Sequence, residues 1–253
     1  MRIAAVSDVH GNLPALRAVV DDIARFAPDQ VVNLGDCASG PLWPAETIDL
    51  LRELGWATVR GNHDRLVGMS SDGVGLGRSD RWTWDRLGAE QRAWLATLPP
   101  ALRLGEVLCL HGRHDSDEAF LMHEVREGRI VALDRETVAE RLRIAAARVT
   151  LCGHSHTAGE CVTDDGAAAI NPGSVGWPAY RNRAPAYVCE AGAPHARYAV
   201  VDVQGGRVRS VFRAVEYDCA GAAEQAERNG RPDWAHALRT GLAPPAALRP
   251  RGT

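Results

Sequence analysis

Four consecutive residues combine side chains suited to metal-dependent or acid–base chemistry. Gly61-Asn62-His63-Asp64 follows the short apolar run Trp56–Val59 and places an amide, an imidazole and a carboxylate next to one another. A chain reversal requires Gly or Asn for backbone reasons, but it requires neither His nor Asp. The segment is therefore a candidate for chemistry, although a polar loop at the end of a strand is the simpler alternative when it is considered alone.

Side chains of the same kinds follow four other apolar segments. Asp8 and His10 follow the first, Gly35-Asp36 the second, His111-Gly112 a later one, and Gly153-His154-Ser155-His156 the last. Each motif is weak by itself, and Gly-Asp alone is more often a structural turn. With nine histidines in 253 residues, however, their repeated placement after apolar segments is hard to attribute to chance.

Carboxylate, imidazole and amide ligands together suit two divalent metal ions of the Mn, Fe, Co, Ni or Zn type. Two ions about 3.5 to 4 Å apart need a bridging ligand, and Asp36, with its two carboxylate oxygens, is our candidate. A water molecule held between two cations loses a proton near neutral pH, so hydroxide would be the nucleophile and no Ser or Cys would be required. The six cysteines form no CxxC pair, which favours reduced, mostly buried thiols over disulfides or a thiolate zinc site.

The elements that must position these side chains alternate in the first part of the chain. Apolar strands at about 2–7, 31–34 and 56–60 alternate with helices at about 14–26 and 44–54. This order predicts a parallel sheet, with ligands beyond the carboxyl ends of its strands. We expect Asn62 and His63 to lie in an extended segment with diverging side chains. For the same reason we expect His154 and His156 to project to one side of the chain.

The rest of the chain predicts further helices and a β-rich second half. Residues 65–81 form a Gly- and Ser-rich loop, a candidate lid, and the Trp and Leu residues of 82–98 recur at helical spacing, which favours core packing or a subunit contact over base stacking. A hairpin is expected at 102–110, and helices at about 117–127 and 134–145. Strands are expected at about 148–152, 158–163, 167–170, 186–190, 196–203 and 207–215, with turns at 164–166 and 204–206. One or two peripheral helices and a frayed end should follow from 218.

Composition excludes several classes of protein. Apolar residues make up 45% of the chain and charged residues 24%, with a net charge of -3 and a pI near 6.3, so an extended nucleic-acid surface is not expected. The N-terminus lacks the apolar length of a signal peptide, and no run approaches the ~18 apolar residues of a membrane span. We therefore expect a cytoplasmic protein with no membrane partner.

Taken in order, the motifs D-x-H, G-D, G-N-H-[DE], H and G-H-x-H resemble the signature of the calcineurin-like metallophosphoesterase superfamily. The resemblance covers about residues 3–176 and includes Asn171–Gly176, which is similar to the Asn-Pro-Gly-Ser turn of the small bacterial phosphodiesterase-like branch. It implies a four-layer α/β/β/α sandwich of two mixed β-sheets. We accordingly divide the chain into a metallophosphoesterase domain, 1–216, and a helical appendage and tail, 217–253.

The same resemblance implies a role for each motif residue. One metal ion would be bound by Asp8, His10, Asp36 and His156, and the other by Asp36, Asn62, His111 and His154. His63 would be the catalytic residue: because it binds no metal, it can stabilise charge on the phosphoryl group or protonate the leaving alkoxide, which is typically worth ~10²- to 10⁴-fold in rate. Asp64 either orients His63 or caps the next segment.

One departure from the family pattern favours some substrates over others. Protein Ser/Thr phosphatases carry an Asp and a phosphate-binding Arg after Gly-Asp, whereas Cys37–Pro41 contains neither. Arg65 and Arg113 are candidates to contact the phosphate in place of that Arg. The alternative is that both are solvated surface residues. A small phosphodiester or nucleotide-type substrate is thus favoured over a phosphomonoester or phosphoprotein. A non-catalytic protein-binding scaffold and a nuclease are the rival functions, and a homo-oligomer remains open.

Overall fold

In the computed structural model, which describes residues 1–205 and 207–248, the first part of the chain alternates between strand and helix as predicted. The elements are β1 (Arg2–Val6), α1 (Leu13–Ile23), β2 (Gln30–Asn33), α2 (Pro44–Leu54) and β3 (Ala57–Thr58). A proline lies in the first turn of both helices, where its fixed φ suits a helix start and its missing N–H is not needed.

The remaining elements alternate less regularly. In chain order they are α3 (Asn62–Met69), α4 (Arg78–Trp84), α5 (Ala89–Thr97), β4 (Ala101–Leu104), β5 (Val107–Leu110), β6 (His123–Arg126), β7 (Arg129–Ala132), α6 (Arg135–Ile144), β8 (Val149–Leu151), β9 (Gly159–Val162), β10 (Ala168–Asn171), β11 (Ala179–Arg183), β12 (Ala186–Glu190), β13 (Ala196–Gln204), β14 (Arg207–Val215), α7 (Cys219–Arg228) and α8 (Pro232–Thr240).

Two five-stranded mixed sheets form the centre of the fold. The first has the strand order β14-β13-β1-β2-β3, with β1, β2 and β3 parallel. The second has the order β4-β5-β8-β10-β9, with β5, β8 and β10 parallel. Parallel neighbours end at the same edge of a sheet, so the loops after β1, β2 and β3, and those after β5 and β8, are grouped in space.

The alternation of side chains along β1 explains the layers. Ile3 and Ala5 belong to a buried cluster that also contains Val107 and Leu151 of the second sheet, whereas Ala4 and Val6 point the other way, into a cluster with α1 and α2. On the far side, α6 covers the second sheet through a third cluster that includes Val138 and Leu142. Successive strand side chains face opposite sides of a sheet, and this produces the predicted four layers, helix, sheet, sheet, helix.

A third sheet, of four strands in the order β11-β12-β7-β6, was not predicted. The helix expected at about 117–127 is wrong, because β6 and β7 form a hairpin there. Glu127 and Gly128 both have positive φ, 50° and 73°, the conformation of a two-residue hairpin turn. Leu121 and Met122, within the segment expected to be helical, are buried in the third cluster from a loop.

Helices also replace most of the loop that was expected at 65–81. α3 continues to Met69 and α4 begins at Arg78, so the connection covers only residues 70–77. A Cβ on Gly68 would lie 2.6 Å from the backbone nitrogen of Ala96 in α5, so this glycine permits the close packing of the two helices.

The C-terminal segment folds into two helices, α7 and α8, where one or two peripheral helices were expected. Their alanines pack around Trp234, which is 1% exposed. The frayed end lies partly outside the described residues, as does the turn at 204–206. The six cysteines are free and four of them are buried. None of the helices in 1–205 and 207–248 has the length and apolar character needed to cross a bilayer.

Candidate metal centre

The loops at the strand ends are joined to one another by backbone hydrogen bonds. The N–H of Asp8 donates to the carbonyl of Gly35 at 2.9 Å, and the N–H of His10 donates to the carbonyl of Asp36 at 2.9 Å. The N–H of Gly153 donates to the carbonyl of His111 at 2.7 Å. These bonds bring the motif residues to one edge of the sandwich.

Asp8, His10 and His156 form the first ligand group. One nitrogen or oxygen from each lies within 4.8 Å of the others, and all three residues are buried. The Nε2 atom of His156 is 3.2 Å from Asp8 Oδ1 and 3.2 Å from His10 Nε2.

Asp36, His111 and His154 form a second group within the same distance limit. His111 Nε2 lies 3.3 Å from Asp36 Oδ2 and 3.1 Å from the amide oxygen of Asn62. The amide therefore joins this group, and the four residues expected for the second metal ion lie together.

Asp36, a member of the second group, also lies next to the first group. Its Oδ2 is 3.9 Å from His10 Nε2 in the first group and 3.3 Å from His111 Nε2 in the second. Its Oδ1 accepts the backbone N–H of His63 at 3.0 Å. One oxygen thus faces both groups, whereas the sequence interpretation used both oxygens of this carboxylate.

The tautomers of three histidines fit a cation. Nδ1 of His10, His111 and His156 lies 2.7, 2.7 and 2.8 Å from the backbone carbonyls of Ser39, Leu34 and Trp177, respectively. A carbonyl oxygen only accepts, so each Nδ1 carries the proton and each Nε2 presents a lone pair, which is the usual arrangement behind a metal ligand.

The buried oxygen of Asp8 supports the same conclusion. Asp8 Oδ1 is buried and has no hydrogen-bond partner within the described part of the chain. It faces Nε2 of His156, another electron-rich atom. Two such atoms 3.2 Å apart in a dry site repel each other unless a cation or a proton lies near them. The residues present therefore fit a bound divalent ion.

The protonation states of two histidines also fit, whereas Asp36 outweighs the effect of burial on His111 and raises its pKa to about 9. Burial, helped by His156, lowers the pKa of His10 to about 3, and burial, helped by His111, lowers that of His154 to about 4. For Asp8, burial raises the pKa, but a proton on the neighbouring His156 outweighs it and lowers the pKa to about 2 when no cation is bound. Neutral imidazole and ionised carboxylate are the forms that bind metals.

Backbone strain is concentrated in the candidate ligand residues. Eight non-glycine residues of the described chain have positive φ, and five of these are Asp8, His10, Asp36, His154 and His156, with φ between 50° and 66°. Such conformations cost on the order of 1–3 kcal/mol each and cluster at functional sites. His154 and His156 therefore reach the two groups from left-handed positions, and the expected extended segment is wrong.

Asn62 and His63 are also not extended, because α3 begins at Asn62. Asp64, the third residue of the helix, accepts the N–H of Gly61 at 2.9 Å. It also accepts the N–H groups of Asp36 and Cys37 at 2.8 and 2.9 Å. Asp64 thus caps the helix and fixes it to the loop after β2.

His63 lies beside the two groups and belongs to neither. Its ring centroid is 5.6 Å from that of His10, and its Nδ1 is 2.7 Å from Oδ1 of Asp80 in α4. Desolvation lowers the pKa of His63, but the carboxylates of Asp80 and Asp36 outweigh it and raise the pKa to about 10. Asp80, not Asp64, is the carboxylate that orients this imidazole.

Comparison with known proteins agrees with this geometry. The family model of the calcineurin-like phosphoesterase superfamily domain matches residues 1–204. The chain belongs to this superfamily.

Relatives match nearly the whole length of this chain. An uncharacterized protein of Methanocaldococcus jannaschii, MJ0912, is 26% identical over 256 residues, which is 92% of this chain and 94% of that protein. The crystal structure of a metallophosphoesterase from Sphaerobacter thermophilus is 26% identical with a TM-score of 0.72, covering 95% of this chain and all (100%) of that one. A hypothetical protein from Pyrococcus horikoshii OT3, PH1004, shares the fold with a TM-score of 0.75 at 21% identity, covering 95% of this chain and 98% of that one.

The two arginines considered as phosphate contacts lie near the second ligand group. They line a depression that includes His111. Arg65 donates two hydrogen bonds to Asp117 and one to Glu118, and Arg113 donates two to Asp115. Carboxylates of the same chain therefore already neutralise both guanidinium groups.

Sequence reasoning missed several residues around the site. Asp80 lies 17 residues after His63, and Ser39 donates its hydroxyl to the same Asp80 oxygen at 2.6 Å. Trp177 stacks on Trp234 of α8, with centroids 4.1 Å apart. The position of Trp177, directly after the turn at 171–176, was the one available signal. No pattern indicated that α8, which was expected to be peripheral, would reach the site.

Proposed function

We propose that this chain is a dimetal-dependent phosphoesterase that hydrolyses a small phosphodiester or nucleotide-type phosphoester. The observation that carries the proposal is the pair of ligand groups joined by Asp36 Oδ2, with His63 next to them. Membership of the phosphoesterase superfamily supports the hydrolase class, and the relative from Sphaerobacter thermophilus is described as a metallophosphoesterase.

Seven side chains would hold the ions. Asp8, His10, Asp36 and His156 would bind one, and Asp36, Asn62, His111 and His154 the other. When bound, two divalent ions neutralise charge on the phosphoryl oxygens and lower the pKa of the attacking water. The ligand set is compatible with Mn, Fe, Co, Ni and Zn.

His63 would act on the leaving group. Its Nδ1 is held by Asp80, so its Nε2 is the nitrogen left to donate a proton to the departing oxygen. The side chain of His63 is 28% exposed and lines an open cleft. A substrate can therefore approach this ring more readily than the buried rings of His10, His111 and His156.

The rival functions have less support. A non-catalytic scaffold would have no use for a buried, unpartnered carboxylate oxygen facing imidazole lone pairs. A nuclease needs a basic surface to follow a nucleic-acid strand, whereas this chain has a net charge of -3. The run after Asp36 also lacks the Asp and Arg of protein phosphatases.

The proposal is tested by metal analysis and an assay with bis(p-nitrophenyl) phosphate. Protein reconstituted with each divalent ion should bind two ions per chain and hydrolyse the ester. His63→Ala should retain its metal and lose about 10²- to 10⁴-fold in kcat. His195→Ala, a histidine outside the site, is the matched control. Absence of bound metal after reconstitution, or wild-type turnover in His63→Ala, would contradict the proposal.

A further inference from the structure

We propose that the cleft next to His63 binds a second phosphate group of the substrate through Arg78 and Arg181. This inference rests on the proposed phosphoesterase function and deepens it. The favoured substrate is then an organic phosphoester that carries another phosphate away from the bond that is hydrolysed.

The cleft begins at the site itself. His63 and Asp80 line one part of it, and Trp177, whose carbonyl accepts from His156, lines another. The other walls come from residues 76–79, from β11 and from the first turn of α8. Its volume is about 480 Å³, within the range of sites that enclose small organic ligands.

The lining combines apolar surface with excess positive charge. Trp177, which is partly exposed, contributes aromatic surface that suits the organic part of a substrate, and the buried rings of Tyr180 and Trp234 lie next to it. Two carboxylates line the cleft and both have partners: Asp80 accepts from His63, and Asp233 accepts two hydrogen bonds from Arg231. Neither carboxylate is therefore left to balance a further cation.

Arg78 and Arg181 supply that excess. Both are exposed, and neither has a carboxylate partner among the residues that the structure describes. Arg78 donates to the carbonyl of Gly230 at 3.2 Å, and Arg181 donates to the carbonyl of Pro244 at 3.3 Å. Each side chain is thereby held at the cleft with most of its N–H groups unused. Arg65 and Arg113, by contrast, are paired with carboxylates.

A phosphate fits this arrangement better than a neutral group does. A guanidinium binds phosphate through paired, charge-assisted hydrogen bonds. The chain is negative overall, so a local pair of cations beside the site would concentrate an anionic substrate there. The hydrolysed phosphorus would lie against the metal ligands, which leaves these arginines for a different anionic group.

The test uses two esters that differ in one phosphate. They are thymidine 5′-(p-nitrophenyl phosphate) and the same compound with a 3′-phosphate, and chromatography follows cleavage of either ester bond. The metal-reconstituted wild type should have a kcat/KM at least about tenfold higher for the 3′-phosphorylated ester, and added salt should reduce this ratio. Arg78→Gln/Arg181→Gln should bring the ratio close to one. Arg52→Gln/Arg143→Gln removes the same charge from exposed arginines outside the cleft and should keep the wild-type ratio.

The outcomes separate the two proposals. Equal kcat/KM for both esters in the wild type, or an unchanged ratio in the cleft variant, would overturn the inference and leave the phosphoesterase proposal intact. Hydrolysis of neither ester would count against the proposed function. In that case, calorimetry of the wild type with thymidine 3′,5′-bisphosphate and with thymidine 5′-monophosphate decides whether the cleft prefers a ligand that carries the second phosphate. The same calorimetry decides this question if the cleft variant does not fold.

Discussion

Nδ1 of His63 lies 2.7 Å from Oδ1 of Asp80, and the same carboxylate oxygen accepts the hydroxyl of Ser39. Asp80 is 4% exposed and lies in the short helix α4, outside the motifs that supply the metal ligands. The imidazole beside the candidate metal centre is thus oriented by a residue of a different element. This makes Asp80 a positioning residue, and α4 a structural requirement of the site.

Asp80→Asn should lower kcat by about 10- to 100-fold, because an amide holds the ring of His63 less firmly and does not stabilise its positive charge. KM and metal content should stay within about twofold, since Asp80 contacts neither ligand group. Steady-state kinetics with bis(p-nitrophenyl) phosphate and elemental analysis provide the measurements. Asp85→Asn, an exposed acid directly after α4, is the matched control.

A double variant separates positioning from a general loss of structure. If Asp80 acts through the ring, adding Asp80→Asn to His63→Ala should change kcat little, because the two residues work as a unit. A further loss comparable to that of the single variant would mean that Asp80 acts by another route, such as through Ser39.

The grouping of the candidate metal ligands could be predicted from the sequence because these residues follow parallel strands. Asp8, Asp36 and His154 come directly after short apolar runs, and such strand ends meet at one edge of a sheet whatever the details of packing. Asp80 could not be found in this way. Its position opposite His63 depends on how α4 packs, and neither periodicity nor spacing encodes that contact.

The local sequence explains why the helix start at 61–64 and strand β11 were not predicted. Asp64, three residues after Gly61, is an acidic residue at the position that caps a helix start, so the motif at 61–64 begins a helix and does not extend a strand. Strand β11 carries Arg181 and Arg183 on exposed positions, and this polar composition gave no strand signal. The third sheet therefore became visible only with the tertiary structure.

Asp36 should affect both metal ions, because its Oδ2 faces both ligand groups. We expect Asp36→Asn to weaken binding of each ion by at least about tenfold, since an amide oxygen carries no net charge. Asp8→Asn should weaken only one. Equilibrium dialysis with elemental analysis measures the two binding steps, and Asp49→Asn on α2 is the control. One ion bound with wild-type affinity in Asp36→Asn would show that Asp36 does not bridge.

A partly buried ion pair far from the site gives a prediction for the dependence of stability on pH. Asp22 in α1 accepts two hydrogen bonds from Arg213 and one from Tyr198, at 2.9 to 3.1 Å. The hydrogen bond from Arg213 is the main cause that holds the pKa of Asp22 below its usual value, with burial opposing it. A carboxylate whose pKa is lowered in the folded state stabilises the protein above its unfolded pKa of about 3.9, and this stabilisation is lost as the pH falls through the folded pKa.

Asp22→Asn should therefore reduce the free energy of unfolding at pH 7 by on the order of 2 kcal/mol, the usual size for hydrogen bonds to a charged group. The difference from the wild type should shrink as the pH falls below about 4, because Asp22 of the wild type becomes protonated first in the unfolded state and, at lower pH, in the folded state as well. Urea unfolding at pH 7 and at pH 3 measures both values. Asp21→Asn, the exposed neighbour on the same helix, should behave like the wild type at both pH values. A difference between Asp22→Asn and the wild type that is equally large at pH 3 would mean that the carboxylate's charge is not the source of the stabilisation.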